Sequence, residues 1–107
     1  MNVNVTARHF ELSDQVREHA IHQVSKIERF GHALFDAHVV LEVEKYRNIA
    51  EVSIHGKMSS FTGKAESSDM IVAIDSACDK VGTQIKKHAD KVKKHNHNHK
   101  IEPEVAE

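Results

Sequence analysis

The stretch DMIVAIDSACDKVGTQIKKHADKVKK, residues 69–94, decides how the rest of the chain must fold. Ile71, Ile74, Cys78, Val81, Ile85, His88 and Val92 recur three or four residues apart, a spacing that gathers them into one apolar seam on an α-helix. At about 100° per residue, Lys80, Lys87, Lys91 and Lys94 fall within roughly 60° of one another and about 130° from that seam. Such a helix docks on a core and turns a row of ammonium groups toward solvent. A cationic row on a rigid rod suits a polyanion.

The seam needs an apolar surface to cover it, and the preceding sequence supplies one. Ser67 or Ser68 is placed to cap the helix. Upstream, Phe61, Gly63 and Ala65 share one side of a short strand, Ala50, Val52 and Ile54 one side of a second, and Val39, Leu41 and Val43 one side of a third. Turns fit at Lys45 to Asn48 and at His55 to Lys57, where Gly56 is expected to take a positive φ. Val3, Val5 and Ala7 alternate with Asn2, Asn4 and Thr6 in a first strand. Between it and the others the period changes to that of a helix over Glu11 to Arg29. Ser13 is its N-cap, Asp14 lies in the first turn, Val16, Ala20, Val24 and Ile27 form its buried stripe, and Gly31 is its stop. His19, His22, Lys26 and Arg29 form a second polar row, expected to face outward. The order predicts an α+β fold, β-α-β-β-β-α. A right-handed parallel crossover and two hairpins make a four-stranded mixed sheet, with both helices on one face and their basic rows merging.

Length and composition agree with one small domain: 107 residues, 39% hydrophobic, no Trp and four Phe. No run approaches a membrane span, and MNVNVTARH lacks a basic patch followed by an apolar run, so the expected location is the cytoplasm. The lone Cys78 sits in the apolar seam and reads as a small core side chain. Net charge is −1, but it is unevenly spread: residues 36–79 hold four bases and eight acids, and residues 80–101 seven lysines and one acid. The last residues, 95–107, run His-Asn-His-Asn-His and then turn acidic around Pro103. They are expected to form a disordered tail after a folded unit spanning 1–94.

Chemistry has few footholds. There is no phosphate-cradling glycine loop, no serine elbow and no catalytic carboxylate pair, so no enzyme activity and no cofactor are expected. Asp75 and Asp79, one turn apart, read as a solvated edge beside Lys80. The histidine run offers imidazoles to zinc, copper or nickel, and a metal-binding protein is the rival reading. No zinc-finger or HExxH spacing supports it, and the expectation is that the protein has no metal site. An interaction module using an exposed sheet edge is a third reading. Lysine rows suit phosphate oxygens, and Tyr46 is the only aromatic that looks exposed. The expected contact is therefore with the backbone and shape of structured RNA rather than with stacked bases.

The chain resembles the ribosome hibernation promoting factor family, also called the sigma-54 modulation protein or ribosome-associated inhibitor family, in its short form. The resemblance spans about residues 2–94 and rests on several pieces in order. They are NVNVTAR (2–8), Lys26-Ile27-Glu28, VVLEVEK (39–45), Asp69-Met70, Ala73-Ile74-Asp75, Asp79-Lys80-Val81 and QIKKH (84–88). It implies a fold like the double-stranded-RNA-binding domain. It also implies binding to the small ribosomal subunit and its 16S rRNA in the messenger and transfer RNA channel, silencing of translation in stationary phase or stress, and action beside a ribosome modulation factor to pair idle ribosomes. By resemblance Lys26, Arg29, Lys80, Lys87 and Lys91 contact ribosomal RNA; His22, Lys86 and Lys94 join them from the charge pattern alone. Gln23 and Thr83 depart from the family's basic residues and Ile71 from its tyrosine. The acidic end is similar to that of the inhibitor branch, whose longer tails are associated with opposing dimers.

Overall fold

The computed structural model describes residues 1–30, 34–57 and 59–97, the last nine of these as backbone. The elements follow the expected order: β1 (Asn2–Arg8), α1 (Asp14–Ile27) running into a 3-10 turn (Glu28–Phe30), β2 (Leu34–Glu44), β3 (Arg47–Gly56), β4 (Ser60–Ser67) and α2 (Met70–His97). The sheet order is β1-β2-β3-β4, with β1 parallel to β2 and the other pairs antiparallel.

Register aligns the apolar side chains into rows across all four strands. Val5 pairs with Val39, Val39 with Val52, and Val52 with Gly63; the next rows run Val3–Ala37–Ile54–Phe61 and Ala7–Leu41–Ala50–Ala65. A one-residue slip would throw every row to the other face, so burial of one face fixes the register. Both helices cover these rows. Ala20, Val24 and Ile27 of α1 are buried there with Ala73, Ile74, Ala77, Cys78, Val81 and Ile85 of α2. The seam read from spacing is thus broader than expected, because alanines at 73 and 77 let α2 lie close to the sheet.

That closeness explains Gly63. A Cβ there would lie 2.7 Å from the Ala77 carbonyl oxygen and 2.8 Å from Val81 Cγ2. Beside this crossing α2 also seals the outer edge of β4: Lys80 Nζ donates to Lys64 O at 2.7 Å and Gln84 Nε2 to Thr62 O at 2.8 Å. Carbonyls already bonded to α2 are lost to any strand that would pair along this edge.

Local expectations fare unevenly. Ser13 does cap α1, its Oγ accepting from Val16 N at 3.2 Å. For α2 the cap is Asp69 rather than a serine. Its Oδ1 accepts from Ile71 N at 2.8 Å, while Ser67 Oγ accepts from Asp69 N and shapes the turn before it. A carboxylate at this point also meets the positive end of the helix dipole. Gly56 does not take a positive φ; it stays in β3 and its N–H donates to Ser59 O. The positive φ values fall on His9 (68°) and on Lys45 (55°) at the β2–β3 turn. Gly31, expected to stop α1, lies outside the described residues, and the helix already tightens into its 3-10 turn before that point. Of the tail expected from 95, the α2 backbone continues to His97, and residues 98–107 lie outside the described set. No helix among the described residues is long and apolar enough to cross a membrane.

Candidate RNA-binding surface across the two helices

The two helices run the same way along the sheet. Each starts near the β2–β3 turn: α1 follows Arg8, which is level with Glu42, and α2 follows Ser67, which is level with Asn48. Each ends by the opposite edge. The Met1 amine bonds Glu28 Oε2 at 3.0 Å just past α1, and the His88 ring of α2 meets Phe61 of β4 edge-on at 5.6 Å. Both C-terminal halves therefore lie at one end of the molecule; Lys26 and Arg29 are there at the end of α1, where cations favour the negative end of the helix dipole, and Lys86 and Lys87 are past the midpoint of α2.

Exposure and helical angle sort the expected site residues. His22, Lys26, Arg29, Lys80, Lys86 and Lys87 are all exposed. Measured around α2 from Asp75, which faces α1, Lys86 lies about 20° away, Lys87 about 120° and Lys80 about 140°. Lys86 thus stands on the flank beside α1, and Lys87 on the outward side. Lys80 turns down to the β4 edge, where its ammonium already has a carbonyl partner; two of its three donor hydrogens remain for a ligand. Lys91 and Lys94 belong to α2, but their side chains lie outside the described residues. The other face of the sheet is different in charge: Glu42, Glu51 and Glu66 lie there among Arg8, Lys64, His38 and His55, and Asp36 shares that face with its Oδ1 buried.

One member of the expected outward row does not face outward. His19 turns into the seam between the helices, its Nε2 2.7 Å from Asp75 Oδ1, and Gln23 Nε2 donates to the same oxygen at 2.7 Å. Asp75 is accordingly not a solvated edge but a part-buried clasp between α1 and α2. Burial would raise its pKa. The hydrogen bonds from His19 and Gln23 and the nearby charges of His19 and Lys26 outweigh that, and hold the carboxyl below its ordinary range. Spacing hinted at the clasp: His19 and Gln23 are four apart on the α1 flank next to the buried stripe, but only the packing shows which neighbour that flank meets. Cys78 lies buried beneath it. Burial first, then the charges of Asp75 and Asp79, push the thiol up to about 12, as suits an inert core side chain.

Other candidate chemistry is thin. Among the described residues no three His, Cys, Asp or Glu side chains are grouped to hold a metal ion. Tyr46, at the β2–β3 turn, is 91% exposed, but it stands at the end of the sheet away from the lysines of the helices' C-terminal halves; Phe35, which spacing did not flag, is 54% exposed.

A small mixed sheet with two parallel helices on one face, their outward sides basic at one end, defines a compact class of α+β domains. Residues 3–93 match the family described as Sigma 54 modulation protein / S30EA ribosomal protein, and the chain belongs to that family. It is 35% identical over 95 residues to the ribosome hibernation promoting factor of Klebsiella oxytoca, covering 89% of this chain and all of that one. To the Escherichia coli K12 protein of the same name it is 33% identical with the same coverage. Among solved structures, the Protein Y N-terminal domain of Thermus thermophilus superposes with a TM-score of 0.77 at 26% identity, covering 82% of this chain and 99% of that domain. A ribosomal subunit interface protein from Coxiella burnetii gives 0.78 at 22% identity, with 84% and 99% covered, and shares the fold.

Proposed function

We propose that this protein is a non-catalytic, cytoplasmic ribosome hibernation factor that seats its helical face on the 16S rRNA of the small subunit, in the channel of messenger and transfer RNA, and blocks translation by occupying it. Its ribosome-associated hibernation role follows from family membership; the channel, the RNA and the pairing of ribosomes are the reading offered here. The observation that carries it is the gathering of Lys26, Arg29, Lys86 and Lys87 at one end of two parallel helices, with the acids of the sheet on the far face. Lysines neutralise phosphates as point charges and release counterions, so a folded RNA surface is held without base reading. Acting with a modulation factor, the seated protein promotes inactive ribosome dimers in stationary phase or stress.

The test is co-sedimentation with purified small subunits. Lys87→Glu with Lys91→Glu is expected to leave the circular dichroism unchanged and to abolish co-sedimentation. Binding by the wild type should fall steeply as salt rises from about 50 to 200 mM. Retention of the double variant on the subunit would refute the reading.

A further inference from the structure

The two edges of the sheet are treated differently. At β4, α2 crosses directly over Gly63 and takes up the carbonyls of Thr62 and Lys64. At β1, among the described residues, no hydrogen bond reaches a backbone group from outside β2. The pairing of β1 with β2 is continuous over its seven residues, with no bulge, no proline and no lysine to deter a further strand. Val3 and Val5 are only half-buried, although Ala37, Val39, Val52 and Ile54 in the same rows are 0% exposed. α1 leaves a second apolar group on this side. Ile21 lies about 160° around the helix from both His19 and Gln23, which face α2, so it faces the β1 side. It is half-buried and stands outside the core cluster. α1 runs back along β1 from the Arg8 end to the Met1 end, and its 14 residues span about 21 Å against about 23 Å for the seven of the strand. Ile21 is therefore level with Val5, at the middle of the open edge.

We propose that this edge is the interface of a homodimer, β1 pairing antiparallel with β1 of a second copy about a two-fold axis through Val5. The occupant is a second copy because the strand is complementary to itself. Only a register that sets odd positions opposite odd ones keeps Val3, Val5 and Ala7 on the core face. Centred on Val5, it uses the whole strand: Asn2 meets Arg8, Val3 meets Ala7, Asn4 meets Thr6, and Val5 meets Val5. The strand's one charge thus faces an amide rather than its own like. Two strand spacings of about 4.8 Å match the spacing of about 8–10 Å between packed helices. The helical layer therefore continues across the axis, and the Ile21 side chains of the two copies pack on each other. Lys26 lies about 140° around α1 from Ile21, so the pairing leaves the cationic surface uncovered and does not depend on what that surface binds.

Sedimentation velocity of the full chain over about 1–500 μM should show monomer passing into dimer as concentration rises. Asn4→Lys with Thr6→Lys changes two exposed positions and sets two pairs of lysines against each other across the axis. It should weaken the dimer about tenfold or more while the protein stays folded by circular dichroism. Ile21→Lys, which puts two ammonium groups on the axis, should act in the same direction from the helical side. Mixing the lysine pair with an Asn4→Asp, Thr6→Asp variant should restore association, because each lysine then meets a carboxylate of the other chain. The concentration series on wild type stands even if a variant folds poorly. A wild type that stays monomeric over the whole range overturns the proposal. So does a dimer indifferent to both the strand and the helix substitutions, which places the contact on another face. Lysine and aspartate variants that do not associate with each other overturn the register centred on Val5, and the assignment with it.

Discussion

Replacing Gly63 with alanine tests how α2 is seated, and through it how the cationic surface is held. The added Cβ would meet the Ala77 carbonyl oxygen at 2.7 Å, Val81 Cγ2 at 2.8 Å and Lys80 Cβ at 3.1 Å. The first two are closer than atoms of these kinds approach, and the first belongs to helix backbone, which cannot swing aside as a side-chain tip can. α2 must move off the sheet by a few tenths of an ångström or more, loosening its contacts with Val52 and Ile54 and stretching the Lys80 and Gln84 bonds to β4. Overpacking of this kind costs about 1–3 kcal/mol. The stiffer unfolded chain returns about 0.4–1 kcal/mol of that. The net loss of about 1–2 kcal/mol corresponds to a melting temperature lower by roughly 4–15 °C for a domain of this size. Thermal and urea melts followed by circular dichroism measure it. Adding Val81→Ala removes one of the two closest contacts but not the carbonyl, and opens a small void, so it should restore less than half. A Gly63→Ala protein as stable as wild type would refute the close crossing of α2 over β4.

The remaining predictions concern the clasp, the thiol and the C-terminus. Because the folded pKa of Asp75 is depressed, the folded state binds fewer protons, so the clasp stabilises above the ordinary carboxylate value of 3.8 and that contribution is lost as pH falls through the folded value. Asp75→Asn should therefore flatten the acid limb of a stability-versus-pH curve and lose stability at neutral pH, and an unchanged limb would count against the clasp. With its thiol pushed up to about 12, Cys78 should resist a disulfide reagent at pH 8 in the native protein and react at once in denaturant; fast native labelling would place it outside the core. Truncation after residue 97 removes the acidic end and leaves α2 whole, and co-sedimentation with small subunits should survive it. Loss of binding would move function into the tail.

Much of this architecture could be read from the chain alone, because burial imposes its period on the sequence. Alternation in β1 to β3 and the three-and-four spacing of α1 and α2 are consequences of one-sided burial, so element order, sheet face and most core residues follow from them. Ser13 was legible because a cap is a local hydrogen bond within four residues. Turn and cap details at Gly56 and Asp69 were not, since several neighbouring residues satisfy the same local rule and packing selects among them. Lys87 was expected to face solvent and does, for a charge on the side of a helix away from its seam has nowhere else to go. Three outcomes needed the tertiary structure: Lys80 bent onto the β4 edge, His19 and Gln23 turned inward, and Asp75 changed from a surface acid into the link between helices. Sequence fixes which side of its own helix a residue occupies, but a flank between seam and solvent takes its character from whatever packs beside it. That neighbour is set by the crossing of α2 over Gly63 and by the parallel run of the helices, which joins residues more than 50 apart along the chain, a span no local pattern covers.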